Sequence, residues 1–245
     1  PPLRQIPGGA MFERYFETVE RILVRVREAN GRSIPAAARI VVDTIASDGI
    51  VHIFGSGHSQ LLAIETAGRA GGLAAIEVIF DPGQGKAETL EGYAATLLRD
   101  YVLQPPDCLI VISNSGRNAS PIEMATIGRD AGLKVIAVTA LDFSRSVSSR
   151  HSSGAHLYEL ADAVLDTCGA AGDAAVHVEG APADTGPTST VVGAALLNAM
   201  LVEAVAELVR RGVQPPILVS QNTDDFKEHN DALRARYRGR IRPVT

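Results

Sequence analysis

The chain has 245 residues, 46% of them hydrophobic, so it is long enough to bury the core of one large domain or of a domain with a small accessory. Its net charge of −5 and pI near 5.7 argue against a general nucleic-acid-binding protein, because phosphate contacts need a concentrated positive surface. Five arginines do fall between positions 234 and 242. We expect them to form a solvated tail, the alternative being a segment that clasps a neighbouring subunit.

The two cysteines, Cys108 and Cys168, lie in or beside apolar segments without CxxC spacing. We therefore expect small buried side chains rather than a disulfide or a metal site. No basic-then-apolar leader opens the chain, and no apolar run approaches the roughly 18 residues that a membrane span needs. These features predict a soluble cytoplasmic protein with no membrane partner.

Two helices are predicted before the first strand. Apolar residues recur three or four apart from Met11 to about Asn30, which indicates a helix with one apolar face. A second helix has Pro35 near its first turn and ends by Asp48. We expect residues 1–48 to form a helical pair that packs on the core or on a partner chain, and residues 49–245 to form the main domain.

Short apolar runs then alternate with helix-length segments. The strands predicted from their Val and Ile content are Ile50–Phe54, Ala75–Phe80, Cys108–Ile112, Val135–Thr139 and Ala163–Asp166. Strands that are apolar on both faces indicate a parallel sheet covered by helices on both sides, which is a doubly wound α/β fold with five parallel strands. Ligands in such folds bind beyond the carboxyl ends of the strands. Residues 168–190 are expected to loop over the surface.

The first strand runs into "FGSGHSQ", where Gly55 and Gly57 let the backbone turn sharply near a ligand and Ser56 and Ser59 offer hydroxyls. A dinucleotide loop is disfavoured, because the position of the third glycine in G-x-G-x-x-G is occupied by Gln60.

Two further loops have the same polar character. The third strand ends in "VISNSGRNAS", and "GPTST" opens a long helix from about Thr188 to Arg210. One serine in such a place is an ordinary helix cap, but hydroxyls and backbone N–H groups repeated at helix starts suit a tetrahedral dianion. Together the three loops predict a phosphate-centred site that needs neither a metal nor a lysine.

"FGSGHS", "SNSGRNASPIE", "SRHSSG" and "GPTSTVVGAALLNA" resemble the SIS (sugar isomerase) domain family, over roughly residues 36–212. They are most similar to a subfamily described as SIS-domain or phosphosugar isomerase proteins, some of them likened to phosphoheptose isomerase. The resemblance implies a flavodoxin-like five-stranded sheet that binds phosphosugars. It implies that Ser113, Ser115 and Ser120 hold the phosphate, that Ser56 and Ser59 contact the sugar, and that residues 188–190 close the site. The expected substrate-binding set is Ser56, Gly57, Ser59, Ser113, Asn114, Ser115, Gly116, Asn118, Ser120, Thr188, Ser189 and Thr190.

Aldose–ketose isomerisation proceeds through an enediol and needs a base but no cofactor. Four residues are candidates for proton transfer: His58, Glu65, Glu91 and His229. Each has an ordinary alternative, since Glu65 and Glu91 suit helix positions, His229 suits a solvated helix, and His58 suits orienting sugar hydroxyls. The two histidines in "RHSSGAH" give only a weak indication of a metal site, because no cluster of cysteines or carboxylates surrounds them in the sequence.

The chain departs from phosphoheptose isomerases, which resemble "GNGGS" in the first loop and carry a glutamate where this chain has Arg69. Three hypotheses follow: a phosphosugar isomerase, a non-catalytic phosphosugar-binding or regulatory protein, and a lyase that cleaves an ether beside the reacting carbon. By the resemblance we also expect a homodimer or homotetramer, because SIS sites are commonly completed by a neighbouring chain.

Overall fold

A computed structural model describes residues 10–220 and 227–242 of the chain. Its helices are α1 (Met11–Ala29), α2 (Ser33–Ala46), α3 (Ser59–Thr66), α4 (Tyr93–Leu97), α5 (Ala119–Asp130), α6 (Leu141–Ser146), α7 (Ser189–Arg210) and α8 (Lys227–Arg236). Its strands are β1 (Val51–Gly55), β2 (Ile76–Ile79), β3 (Cys108–Ile112), β4 (Lys134–Thr139), β5 (Ala163–Asp166), β6 (Ala174–Val176) and β7 (Thr185–Pro187).

Strands β1 to β5 form one parallel sheet with the order β2-β1-β3-β4-β5. All residues of β1, β2 and β3 are buried, as expected of strands covered by helices on both faces. The predicted doubly wound α/β fold is therefore confirmed, with each strand within two residues of its predicted bounds. The sheet order reverses between β1 and β3, and this switch point is where ligands bind in such folds.

Each face of the sheet carries its own apolar core. On one face, α2 and α7 pack against the strands, with Val41, Leu196 and Met200 fully buried among them. On the other face, α5 contributes Met124 and Ala125. The helix α2 thus buries its apolar face in the same core as the sheet, and α1 adds Ile22 and Val26 to that core.

Two expectations about the region after β5 are wrong. Residues 168–190 are not only a loop, because β6 and β7 pair as an antiparallel hairpin within them. The expectation that no segment is long and apolar enough to span a membrane also fails, because α7 passes that test by length and composition. Its inner face is buried in the core, which is the ordinary reason for an apolar helix in a folded domain.

A buried charge cluster fastens the C-terminal residues to the amino-terminal end of the sheet. His52, in β1, is fully buried, and its ring nitrogens lie 3.1 Å from Glu77 Oε2 and 3.3 Å from Asp107 Oδ2. Arg240 donates to both oxygens of Asp107, at 2.9 and 2.7 Å. Arg242 lies over the ring of Tyr101 at 4.7 Å. The C-terminal arginines are therefore not simply a solvated tail, since their own chain supplies buried and aromatic partners.

This cluster predicts a pH-dependent stability. Burial alone would lower the pKa of His52, but the carboxylates of Asp107 and Glu77 outweigh it and raise that pKa. A group whose pKa is higher in the folded state contributes its full stability below its unfolded pKa of about 6.5, and loses it as the pH rises through the folded value. We expect the free energy of unfolding to fall as the pH rises above about 6.5, and His52→Gln to reduce that slope. Urea unfolding at pH 5.5 to 9 measures it.

The matched control is His177→Gln, which changes an exposed histidine paired with Asp184. Equal pH slopes in the wild type and both variants would contradict this assignment.

Candidate functional site

Two polar loops meet at the switch point of the sheet. Gly55, at the end of β1, is paired in register with Ile112, at the end of β3, so the loops that follow them leave the same edge side by side. Gly116 has a φ of 59°, and a Cβ there would lie 2.9 Å from Ser144 Oγ. The loop after β3 therefore needs glycine at this position for both its backbone conformation and its close contact.

The loop after β3 carries three serines whose hydroxyls differ in burial and in hydrogen bonding. Ser113 Oγ accepts a hydrogen bond from the Gly116 backbone N–H at 3.1 Å, which stabilises the turn. Ser115 is half-buried, and its hydroxyl has no hydrogen-bond partner among the described residues. Ser120 is fully buried, and its hydroxyl also lacks a partner there. Ser115 is thus the serine of this loop that is both accessible from the surface and without a hydrogen bond among the described residues.

Asp81, which follows β2, organises the first loop, and sequence reasoning did not single it out. It is fully buried, and its carboxylate accepts hydrogen bonds from Ser56 Oγ at 3.1 Å and from Tyr93 Oη at 2.7 Å. It also accepts from the backbone N–H groups of Gly83 and Gly85, both at 2.8 Å. Ser56 is therefore held by the protein itself, so its hydroxyl proton is not free for a ligand.

Asp81 and the loop that follows it also explain why Gln60 and Gly57 occupy their positions in the first loop. The Asp81 backbone N–H donates to Gln60 Oε1 at 2.6 Å, so the glutamine that disfavours a dinucleotide loop joins the first and second loops. A Cβ at Gly85 would lie 2.8 Å from Gly57 Cα, so the two loops cross where only glycine fits. Ser59, at the start of α3, keeps its hydroxyl without a partner among the described residues.

Glu88 covers the start of α5 and is a second residue that sequence reasoning missed. Its carboxylate accepts a hydrogen bond from Asn118 Nδ2 at 2.6 Å, and its backbone oxygen accepts from the Ser120 N–H at 2.9 Å. Arg150 Nη1 contacts the other end of the same amide, at 3.4 Å from Asn118 Oδ1. An anion entering beside Asn118 therefore meets the helix start and Arg150 as favourable charges, and Glu88 as an unfavourable one.

Glu91 lies in the turn before α4 and contacts the segment around residue 152. Its carboxylate accepts hydrogen bonds from the Ser152 backbone N–H at 2.6 Å and the Ser152 hydroxyl at 2.8 Å, and these bonds lower the pKa of Glu91. His151 Nε2 lies 3.9 Å from Glu91 and 3.7 Å from Glu123. Glu91 is thus a carboxylate held in one position by Ser152, with a lower proton affinity than a free glutamate.

The loop before α7 is already capped by the chain. Asp173 accepts hydrogen bonds from the Thr188 and Ser189 backbone N–H groups at 3.0 and 2.7 Å, and from Ser189 Oγ at 2.6 Å. Thr188 is fully buried, and its hydroxyl has no hydrogen-bond partner within residues 10–220 and 227–242. Only Thr190 is exposed, and it lines a groove with Glu65. A carboxylate at this helix start competes with a phosphate, so the third loop is less suited to anions than the loop after β3.

The four proton-transfer candidates are dispersed. His58 is exposed in the first loop, beside Ser59. Glu65 forms an ion pair with Arg69, which lies just beyond the end of α3. His229 lies elsewhere: its Nε2 contacts the backbone oxygen of Ile217 at 2.9 Å, next to the segment that leads into β2 at the amino-terminal end of the sheet. The structure therefore places His58 near the loops and does not bring His229 to the same edge.

Several buried polar atoms near these strand ends have no partner in the described structure: Asn114 Oδ1, Ser120 Oγ, Ser144 Oγ, Thr167 Oγ1 and Thr188 Oγ1. Such atoms are rare in folded proteins and usually contact a water or a ligand. Within residues 10–220 and 227–242, no cluster of three His, Cys, Asp or Glu side chains could hold a metal ion.

The SIS domain profile matches residues 14–140. The chain belongs to the SIS domain family. A UPF0309 protein of Listeria monocytogenes serovar 1/2a is 41% identical over 227 residues, covering 93% of this chain and 97% of its own length. A UPF0309 protein of Halalkalibacterium halodurans is 40% identical over 240 residues, covering 94% and 96%. The resemblance drawn from the four sequence motifs is thereby confirmed.

Solved structures show the same fold at low identity. Phosphoheptose isomerase GmhA from Neisseria gonorrhoeae superposes with a TM-score of 0.55 at 19% identity, covering 80% of this chain and 97% of its own. The Vibrio vulnificus NanR protein, solved in complex with ManNAc-6P, superposes with a TM-score of 0.54 at 14% identity, covering 83% and 65%. These likenesses confirm the flavodoxin-like sheet with its flanking helices.

We expect the Asp81 contacts to govern the stability of the first loop. Asp81→Ala removes an acceptor of four hydrogen bonds in a buried place and should lower the free energy of unfolding by about 3 kcal/mol. Tyr93→Phe removes one of the four and should cost about 1 kcal/mol. Urea unfolding measures both variants. Equal losses in the two would show that Asp81 does not hold the loops together.

Proposed function

We propose that this protein binds a sugar phosphate at the loop between β3 and α5 and isomerises the sugar between aldose and ketose. The observation that carries the proposal is the Ser115 hydroxyl, half-buried and without a partner among the described residues, beside the start of a twelve-residue helix. Backbone N–H groups and the helix dipole favour a phosphate there, and Arg150 adds a positive charge.

The neighbouring loops supply the rest of a sugar site. Ser59 and His58 follow the adjacent strand, where a sugar attached to the phosphate would extend. Glu91 is our preferred base, because its exposed carboxylate is held in place by Ser152 and lies 3.9 Å from His151 Nε2. It would take the proton from the carbon beside the carbonyl, and the enediol would then receive a proton at the adjacent carbon. His58 would orient hydroxyls or move the proton between the two oxygens.

A second candidate, a phosphosugar-binding protein without catalysis, is favoured by one observation. Glu65 pairs with Arg69, so α3 offers no unpaired carboxylate. NanR, which shares the fold, is described in complex with a sugar phosphate. The lyase alternative would use the same phosphate loop and the same base, and its products would differ.

Binding is tested by thermal unfolding with five-, six- and seven-carbon sugar phosphates. A ligand at a hundred times its Kd contributes about 2.7 kcal/mol and should raise the Tm by about 5 to 10 °C. Ser115→Ala should remove most of that shift. The control Ser47→Ala, just after α2 at the opposite end of the sheet, should keep it. A shift that survives in Ser115→Ala would place the ligand elsewhere.

The same ligands separate catalysis from binding when they are followed by NMR in D₂O. An enediol mechanism exchanges the proton beside the carbonyl for solvent deuterium, and we expect Glu91→Gln to slow exchange and turnover together at least a hundredfold. Binding without exchange would favour the non-catalytic candidate, and loss of an ether substituent would identify a lyase.

We also propose that the protein is a homodimer or homotetramer in the cytoplasm. Phe12 and Phe16, one turn apart on α1, are 65% and 62% exposed, and Leu61 and Val191 are exposed beside the groove that holds Glu65. An apolar patch of this kind is typical of an interface. Sedimentation should give a species larger than 25.8 kDa, and Phe12→Glu with Phe16→Glu should dissociate it. A wild-type monomer at micromolar concentration would contradict association.

A further inference from the structure

A second cavity lies at the other end of the sheet, away from the phosphate loop. Its volume is about 990 Å³, within the range of small-molecule sites. It is bounded by the start of β2, by the segment before β3 and by the C-terminal residues 234–242. None of the predicted substrate-binding or proton-transfer residues lines it.

The floor of the cavity is apolar. The side chains that form it come from the end of α3 and the residue after it, from the start of β2 and the segment before it, and from the C-terminal region: Ile64, Ala67, Ala74, Ile76, Leu218 and Ile241. The ring of the buried Tyr237 adds an aromatic surface. Such a floor suits the apolar body of a ligand, because burying apolar surface is the main source of affinity for small molecules.

The rim of the cavity is positive although the whole chain is negative. Four arginines line it against two carboxylates, those of Glu77 and Asp100, whereas the chain carries a net charge of −5. Arg240 is held by Asp107 and Arg234 by Asp231. Arg238 is exposed and has no ion-pair partner in the described part of the chain. An uncompensated guanidinium beside an apolar floor fits a ligand with one anionic group.

The walls are fixed by contacts already made. Arg242 lies over the ring of Tyr101 and hydrogen-bonds the Asp100 backbone oxygen. The Tyr101 hydroxyl in turn accepts a hydrogen bond from the Phe80 backbone N–H at 3.1 Å. Arg238 therefore stands in a formed cavity rather than on a loose tail.

We propose that this cavity is a second binding site, for a small amphipathic anion whose apolar body rests on the floor and whose carboxylate, sulfonate or phosphate pairs with Arg238. The helix α3 joins this site to the sugar-phosphate loops, since its first residue is Ser59 and its later residue Ile64 lines the cavity. The inference does not depend on the proposed isomerase activity.

The probe for the test is 8-anilinonaphthalene-1-sulfonate, an aromatic body with one sulfonate. Fluorescence titration should give saturable binding of one probe per chain. Arg238→Gln should weaken it at least fivefold by removing the positive charge. Val102→Glu should do the same, because it places a negative charge at an exposed position on the lining without touching the core.

Two variants serve as controls. Arg236→Gln changes an arginine that pairs with Asp48 and does not line the cavity, and it should leave the affinity unchanged. Ser115→Ala should also leave it unchanged, because the phosphate loop lies at the other end of the sheet. Equal affinity in Arg238→Gln, Val102→Glu and the wild type would overturn the proposal, and so would loss of binding in Ser115→Ala.

Discussion

The parallel pairing of β1 with β3 is the constraint on which the rest of the molecule depends. Their last residues, Gly55 and Ile112, are register partners, so both following loops emerge at one edge where the sheet order reverses. The helix starts then face the same space with their positive ends. The serine hydroxyls of these loops lie beside the helix starts. No lysine is needed there for a positive potential, because the backbone N–H groups of the helix starts supply it.

Carboxylates decide which of the polar loops remain open to an anion. Asp81 holds the Ser56 hydroxyl and Asp173 occupies the start of α7, whereas the Ser115 hydroxyl has no partner among the described residues. At the opposite end of the sheet, Asp107, which also contacts His52, anchors Arg240, and the neighbouring Arg238 has no ion-pair partner in the described part of the chain. An acidic protein can thus present a local positive region at its C-terminal arginines, four of which line one cavity with two carboxylates.

The sheet was predictable from the sequence because buried parallel strands are nearly continuous apolar runs, as "CLIVI" of β3 shows. The loops after β1 and β3 were predictable because glycine and serine cluster there. The roles of Asp81, Glu88 and Asp173 were not, because each acts on a loop distant in sequence. The contacts of the C-terminal arginines were not predictable for the same reason, because the buried partner of Arg240 is 133 residues away in the sequence.

The most direct measurement of the central claim is a crystal structure of the protein with a bound sugar phosphate. The phosphate should lie within hydrogen-bond distance of Ser115 Oγ and the backbone at the start of α5, with the sugar directed toward Ser59. A phosphate bound among the C-terminal arginines, with the loop after β3 left without it, would contradict the account.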